Sequence, residues 1–141
     1  MSAVDFIVEM KDKFLFIEVK DLEHPLALKY RKAEELEKFI EDLKKPVKIA
    51  RKFKDSLLKE LAKGTGLQKE VLCILILEYN KFDAAQRRKI YEDLRNVIPR
   101  FNEDYFPAIK KVDLAPLYNT IDFQDAFPMF KVTAIASPKN E

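Results

Sequence analysis

The feature that most constrains the fold is an almost uniformly apolar run over residues 69–78, KEVLCILILE. A short continuous run of this kind predicts a strand buried on both faces, since a strand with one solvent-exposed face alternates apolar and polar residues. Such a strand needs other elements to cover both of its sides. We therefore expect an α/β (α+β) fold, in which helices flank a mixed central β-sheet.

Three segments are predicted to be the covering helices. Residues 31–44 and 47–62 each repeat apolar side chains at helical spacing. The third helix is predicted over 84–98, where Asp83 and Gln86 have the spacing of a capping box. Together these segments supply the helical layers that the buried strand requires.

The remaining segments predict short strands and one helical turn. Residues 4–10 and 14–20 predict a β-hairpin, because two largely apolar segments flank a charged turn at Lys11, Asp12 and Lys13. Residues 111–119 and 129–136 predict two later strands, with a helical turn near 122–127 between them. The expected order of elements is β-β-α-α-β-α-β-β.

Composition limits the class of protein. A chain of 141 residues with 48% hydrophobic and 35% charged residues is predicted to form a single globular domain over 1–141. The net charge is only +2, so binding to nucleic acid would depend on local charge and not on the total. The longest apolar runs fall well short of the roughly 18–20 residues of a membrane span.

Cysteine usage and the first residues bear on location. Cys73 is the single cysteine, so it forms no intramolecular disulfide, and no cluster of His and Cys indicates zinc. No basic segment precedes an apolar one at the start, and Asp5 lies there instead, which is unlike a signal peptide. We expect a cytoplasmic protein with no membrane partner.

The hairpin register brings two acids together. If the turn is centred on Lys11 and Asp12, paired positions sum to 23, and Asp5 lies opposite Glu18 (5 + 18 = 23). Like charges in directly opposed positions are destabilising unless a cation lies between them, and two carboxylates suit Mg²⁺. Lys20, on the same face as Glu18, can orient or deprotonate a water or stabilise negative charge on a phosphate. The alternative is that Asp5 and Glu18 are frayed strand ends facing water, with Lys20 as a simple salt-bridge partner.

Asp5, a spacer of twelve residues and then Glu18-Val19-Lys20 form a D-(x)n-E-x-K pattern. This pattern resembles the motif of the PD-(D/E)XK nuclease superfamily, the restriction-endonuclease-like fold. The flanking sequences VDFIVE and FIEVKD, followed by helices and an apolar strand, extend the resemblance through most of the chain to bacterial proteins of this type.

The resemblance implies an Mg²⁺-dependent (or Mn²⁺-dependent) endonuclease, a hydrolase that acts on phosphodiesters of DNA. Asp5, Glu18 and Lys20 would be its catalytic residues. The metal ligands would be Asp5, Glu18 and the backbone carbonyl of Val19, and Lys20 would position the attacking water.

The sequence departs from the family pattern in two places. Val4, and not proline, precedes Asp5. Family members usually have a helix and a strand before the Asp-bearing strand, and the helix often supplies another acid. We therefore expect a restriction-endonuclease-like core that lacks the usual N-terminal helix and strand. Homodimers are common among nucleases of this fold, so a homodimer is compatible with the resemblance.

A basic segment follows the hairpin. Residues 44–63 contain eight basic and two acidic side chains, a net charge of +6. Lys48, Arg51 and Lys52 lie largely off the apolar face of the helix predicted there, and such a surface contacts phosphates in nucleic-acid-binding proteins. The alternative is a solvated helix face.

Three hypotheses follow. The first is a DNA nuclease. The second is a non-catalytic module of the same fold that binds nucleic acid or protein. The third is a structural domain in which the hairpin charges have no function.

Overall fold

The protein is described by a computed structural model for residues 3–21, 37, 38, 40, 41, 43, 47–63, 69–98 and 111–130. Its elements are β1 (Phe6–Glu9), β2 (Lys13–Asp21), α1 (Val47–Ala62), β3 (Glu70–Glu78), α2 (Ala84–Val97), β4 (Val112–Leu114) and α3 (Thr120–Ala126). The fold is α+β, with helices packed on a mixed sheet, as the sequence predicts. The predicted helix over 31–44 lies mostly outside the described residues, although those described within 37–43 are helical.

The sheet has the order β1-β2-β3-β4. β1 and β2 are antiparallel, whereas β2, β3 and β4 run parallel to one another. Phe6 pairs with Ile17 and Glu9 with Phe14, so paired positions sum to 23 and the predicted register is confirmed. The turn is closed by the Met10 N–H, which donates to the carbonyl oxygen of Lys13 at 2.8 Å.

β3 lies inside the sheet and is buried on both faces, as its apolar run predicts. Only Glu70 is exposed, and residues 71 and 73–77 are buried. Side chains from one face of β3 pack with α1 and α2, and those from the other face pack with α3. The first layer is centred on Phe16, Phe53, Leu57, Leu75, Leu77 and Leu94.

The start of α2 confirms the predicted capping box. The Gln86 N–H donates to Asp83 Oδ1 at 2.7 Å, and the Asp83 N–H donates to Gln86 Oε1 at 2.9 Å. The two bonds satisfy backbone donors that would otherwise lack partners at a helix N-terminus.

The segment after α2 differs from the prediction. The strand predicted over 111–119 shortens to Val112–Leu114, because Pro116 has no N–H to donate to the sheet. Beyond it, Tyr118 forms only an isolated bridge with Ile76. The predicted helical turn near 122–127 is α3, which begins after the capping residue Asn119.

The last predicted strand, 129–136, is only partly within the described residues. Residues 129 and 130 lie in a turn and a bend, and 131–136 are outside the described ranges. Within the described ranges, no helix has both the length and the apolar character needed to cross a bilayer.

Candidate active site

The hairpin brings the two predicted acids into contact. Asp5 directly precedes β1, and Glu18 lies in β2. The Asp5 N–H donates to Glu18 Oε1 at 3.2 Å, and the Val19 N–H donates to Asp5 Oδ2 at 2.8 Å. The structure therefore places Asp5, Glu18 and the backbone of Val19 in one cluster, as the register predicts.

Glu18 is fully buried, although it is charged. Its side chain is 0% exposed, and two ammonium groups bind the same carboxylate oxygen, Oε2. The Lys52 Nζ lies 2.5 Å from that oxygen, and the Lys20 Nζ lies 3.3 Å from it. A buried carboxylate is costly unless it is paired, and the two lysines supply that pairing for Glu18.

Lys20 is close to Glu18, as the E-x-K spacing predicts. Residues two apart on a strand point to the same face, and Lys20 is 18% exposed. Its ammonium can thus contact both Glu18 and a ligand that approaches from solvent. The role assigned to Lys20, positioning of a water, remains a prediction.

Lys52 comes from α1 and joins the site across 34 residues of sequence. The Ser56 hydroxyl, one helical turn further along, accepts a hydrogen bond from the Val4 N–H at 3.0 Å. Ser56 is 1% exposed, so this bond is made in the protein interior. Two side chains of α1 therefore fasten the helix to the end of the hairpin that carries Asp5 and Glu18.

Neither role was predicted from the sequence. Lys52 was predicted to contact phosphates on an outer surface, and the structure places its ammonium against Glu18; a phosphate contact by Lys52 remains a prediction. The one available sign for Ser56 is a small polar residue between Phe53 and Leu57 in the apolar stripe of α1. Such a residue is normally hydrogen-bonded when it is buried.

Electrostatics keep the Lys52 side chain protonated. Burial acts to lower the pKa of Lys52, but the hydrogen bond to Glu18 and the negative charges of Glu18 and Asp5 outweigh burial and raise the pKa above its usual 10.5. Lys52 is therefore a fixed positive charge at neutral pH, bonded to Glu18 and stabilised by the charge of Asp5.

The other two predicted phosphate contacts lie on the same helix as Lys52. Lys48 and Arg51 are exposed on α1, and Lys48 is one helical turn from Lys52. The exposed part of α1 next to the site is thus basic, which suits an approaching polyanion.

The donor set fits a divalent metal ion. In the described part of the chain, no group of three or more His, Cys, Asp or Glu side chains could hold a metal. Mg²⁺, however, is commonly bound by one or two carboxylates and completes its shell with water and other oxygens. Asp5 and Glu18 supply that number, and a positive charge already occupies Glu18 in the form of the Lys52 ammonium.

Comparisons of the chain with protein-family models, with curated proteins and with solved structures gave no match. The resemblance carried by Asp5 and by Glu18-Val19-Lys20 is therefore untested by any relative.

Proposed function

We propose that the protein is a metal-dependent nuclease that hydrolyses phosphodiesters of DNA at a PD-(D/E)XK-type site on a restriction-endonuclease-like core. The observation that carries the proposal is the convergence of Asp5, Glu18 and Lys20 at one end of the hairpin. A solvated strand end leaves such side chains apart and in water, whereas here Glu18 is fully buried and bonded on both oxygens.

Each residue has a role that its position supports. Asp5 and Glu18, with the backbone carbonyl of Val19, would hold Mg²⁺ or Mn²⁺. When bound, such an ion polarises a phosphoryl oxygen and lowers the pKa of a coordinated water. Lys20, partly exposed beside Glu18, orients the water that forms the new P–O bond and stabilises the negative charge that develops as the ester P–O bond breaks.

Lys48 and Arg51 supply the contact with the DNA backbone. Both are exposed on α1 next to the site. Contacts of this kind neutralise phosphates without reading sequence, so affinity is expected to fall steeply as salt rises.

The assembly and the location belong to the same proposal. β1 is an outer strand of the described sheet, and its side chains Phe6 and Ile7 are 57% and 40% exposed. An outer strand with exposed apolar side chains is a surface that a second copy of the chain would cover in a homodimer. The single cysteine, Cys73, is a free buried thiol, consistent with a reducing cytoplasm.

One observation favours a second candidate, a nucleic-acid-binding module without catalysis. Lys20 and Lys52 already neutralise Glu18, so the cluster is electrostatically satisfied by protein groups alone. In that case the basic face of α1 would bind DNA, and Asp5 and Glu18 would be structural.

The test is cleavage of supercoiled plasmid and of single-stranded DNA, with Mg²⁺ and then with Mn²⁺. The parent is compared with Asp5→Asn and Lys20→Met, and Lys59→Met serves as a control that removes one exposed lysine of α1 outside the cluster. We expect the parent and the control to cleave DNA, and we expect Asp5→Asn and Lys20→Met to have lost cleavage. If the parent cuts nothing but still shifts DNA in a salt-sensitive manner, the binding module is correct and the nuclease is not.

A further inference from the structure

The carboxylate that would bind a metal is already bound by a lysine. Glu18 Oε1 accepts the Asp5 N–H, and Oε2 accepts from Lys52 and forms an ion pair with Lys20. Both carboxylate oxygens of Glu18 are therefore already engaged by protein groups. Lys52 is the nearer of the two ammonium groups, at 2.5 Å.

A divalent ion and the Lys52 ammonium would compete for the same place. An ion bound to Glu18 and Asp5 would lie within a few ångströms of an ammonium that both carboxylates attract. Two cations at that separation repel each other, and both would compete for the same Glu18 oxygen, Oε2. Binding of the metal therefore requires Lys52 to leave.

We propose that Lys52 is the resident cation of this site, and that a divalent metal binds Glu18 by displacing the Lys52 ammonium toward the exposed face of α1. The proposal rests on the metal site proposed above and adds the residue that controls access to it. The displacement is an exchange of one cation for another, so Glu18 remains compensated in both states.

The surroundings of Lys52 permit this movement. Its side chain is 30% exposed and has a flexible four-carbon stem, so the ammonium can reach solvent by changes of rotamer alone. The helix itself stays in place, because the Ser56 hydroxyl binds Val4 and because Phe53 and Leu57 are fully buried. Lys20 stays beside Glu18 on the strand.

The movement links metal binding to substrate binding. Lys48, one helical turn from Lys52, is exposed on α1, and Arg51 is exposed one turn from Lys48. Once released from Glu18, the Lys52 ammonium joins them as a third phosphate contact. Metal and DNA would then each increase the affinity for the other, as reciprocal coupling requires.

The first experiment measures binding of Mn²⁺ alone, without DNA, by titration calorimetry. A hydrogen bond between charged groups is worth roughly tenfold in an equilibrium constant, so Lys52→Met should bind Mn²⁺ about tenfold more tightly than the parent. Lys52→Arg keeps the competing charge and should bind no more tightly than the parent. Lys59→Met, the matched loss of an exposed lysine, should bind like the parent.

The second experiment uses only the parent protein and does not depend on the folding of a variant. Lysines are reductively methylated with and without Mg²⁺, and the modified positions are mapped by mass spectrometry. Lys52 should become more reactive when Mg²⁺ is present, with Lys59 as the internal reference for an exposed lysine.

The outcomes separate this inference from the proposed function. Equal Mn²⁺ affinity in the parent and in Lys52→Met, with binding lost in Asp5→Asn, overturns the displacement and leaves the nuclease intact. Unchanged reactivity of Lys52 at saturating Mg²⁺ also overturns the displacement. Displacement without DNA cleavage supports the inference and removes the catalytic proposal, whereas absence of metal binding in all variants removes both.

Discussion

Replacement of Lys52 by methionine tests whether the buried ion pair stabilises the fold. Methionine keeps most of the apolar stem and removes the ammonium, which leaves the fully buried Glu18 carboxylate without its nearest partner. Removal of one partner from a buried pair costs about 3–5 kcal/mol. Because Lys20 remains at 3.3 Å and Lys52 is 30% exposed, we expect a smaller loss, about 2–3 kcal/mol.

A double-mutant cycle isolates the interaction itself. Glu18→Gln removes the charge but keeps the size and one acceptor oxygen, and it should cost about 1–2 kcal/mol. Once Glu18 is neutral, loss of the Lys52 ammonium leaves no uncompensated charge in the interior. The double variant should therefore be more stable than the sum of the single losses by about 1–2 kcal/mol.

The assay is urea unfolding followed by far-UV circular dichroism in metal-free buffer. With a slope of about 1–3 kcal/mol per molar urea, the loss predicted for Lys52→Met moves the midpoint by about 1 M. Lys59→Met, which removes an exposed lysine from the same helix, should stay within about 0.5 kcal/mol of the parent. If Lys52→Met behaves like this control, or if the cycle is additive, the pair does not stabilise the fold and the argument from burial is wrong.

Two further predictions concern the attachment of α1 and the effect of pH. Ser56→Ala leaves the buried Val4 N–H without its acceptor and should lower the free energy of unfolding by about 1–3 kcal/mol in the same urea assay; a loss near zero would mean that the bond has no role in docking the helix. Because the pKa of Lys52 is raised in the folded state, its contribution to stability is complete below the usual pKa of 10.5. That contribution is lost as the pH rises through the folded-state pKa. The parent should therefore lose more stability than Lys52→Met between neutral pH and about pH 11. Equal alkaline losses in the two proteins would contradict that assignment.

The hairpin, the central strand and the start of α2 were predictable because each depends on local patterns. The alternation of side chains and the charged turn at Lys11 and Asp12 set the register that places Asp5 against Glu18. The unbroken apolar run of β3 required cover on both faces, and the spacing of Asp83 and Gln86 defined a cap. The contraction of β4 before Pro116 was also foreseeable, since proline cannot donate to a sheet.

The partners of Glu18 were not all predictable in this way. The contact of Lys20 with Glu18 follows from the sequence, because side chains two residues apart on a strand lie on the same face of the sheet. Lys52 and Ser56 do not, because their positions depend on how α1 is rotated and where it docks on the sheet. That placement is decided by the packing of Phe53 and Leu57 against side chains far away in the chain. Local patterns in the sequence were thus enough to place a pair of carboxylates and a lysine at the end of a hairpin. The second lysine on Glu18 depends on tertiary packing, since a contact across 34 residues is set by where a helix docks and not by any local period.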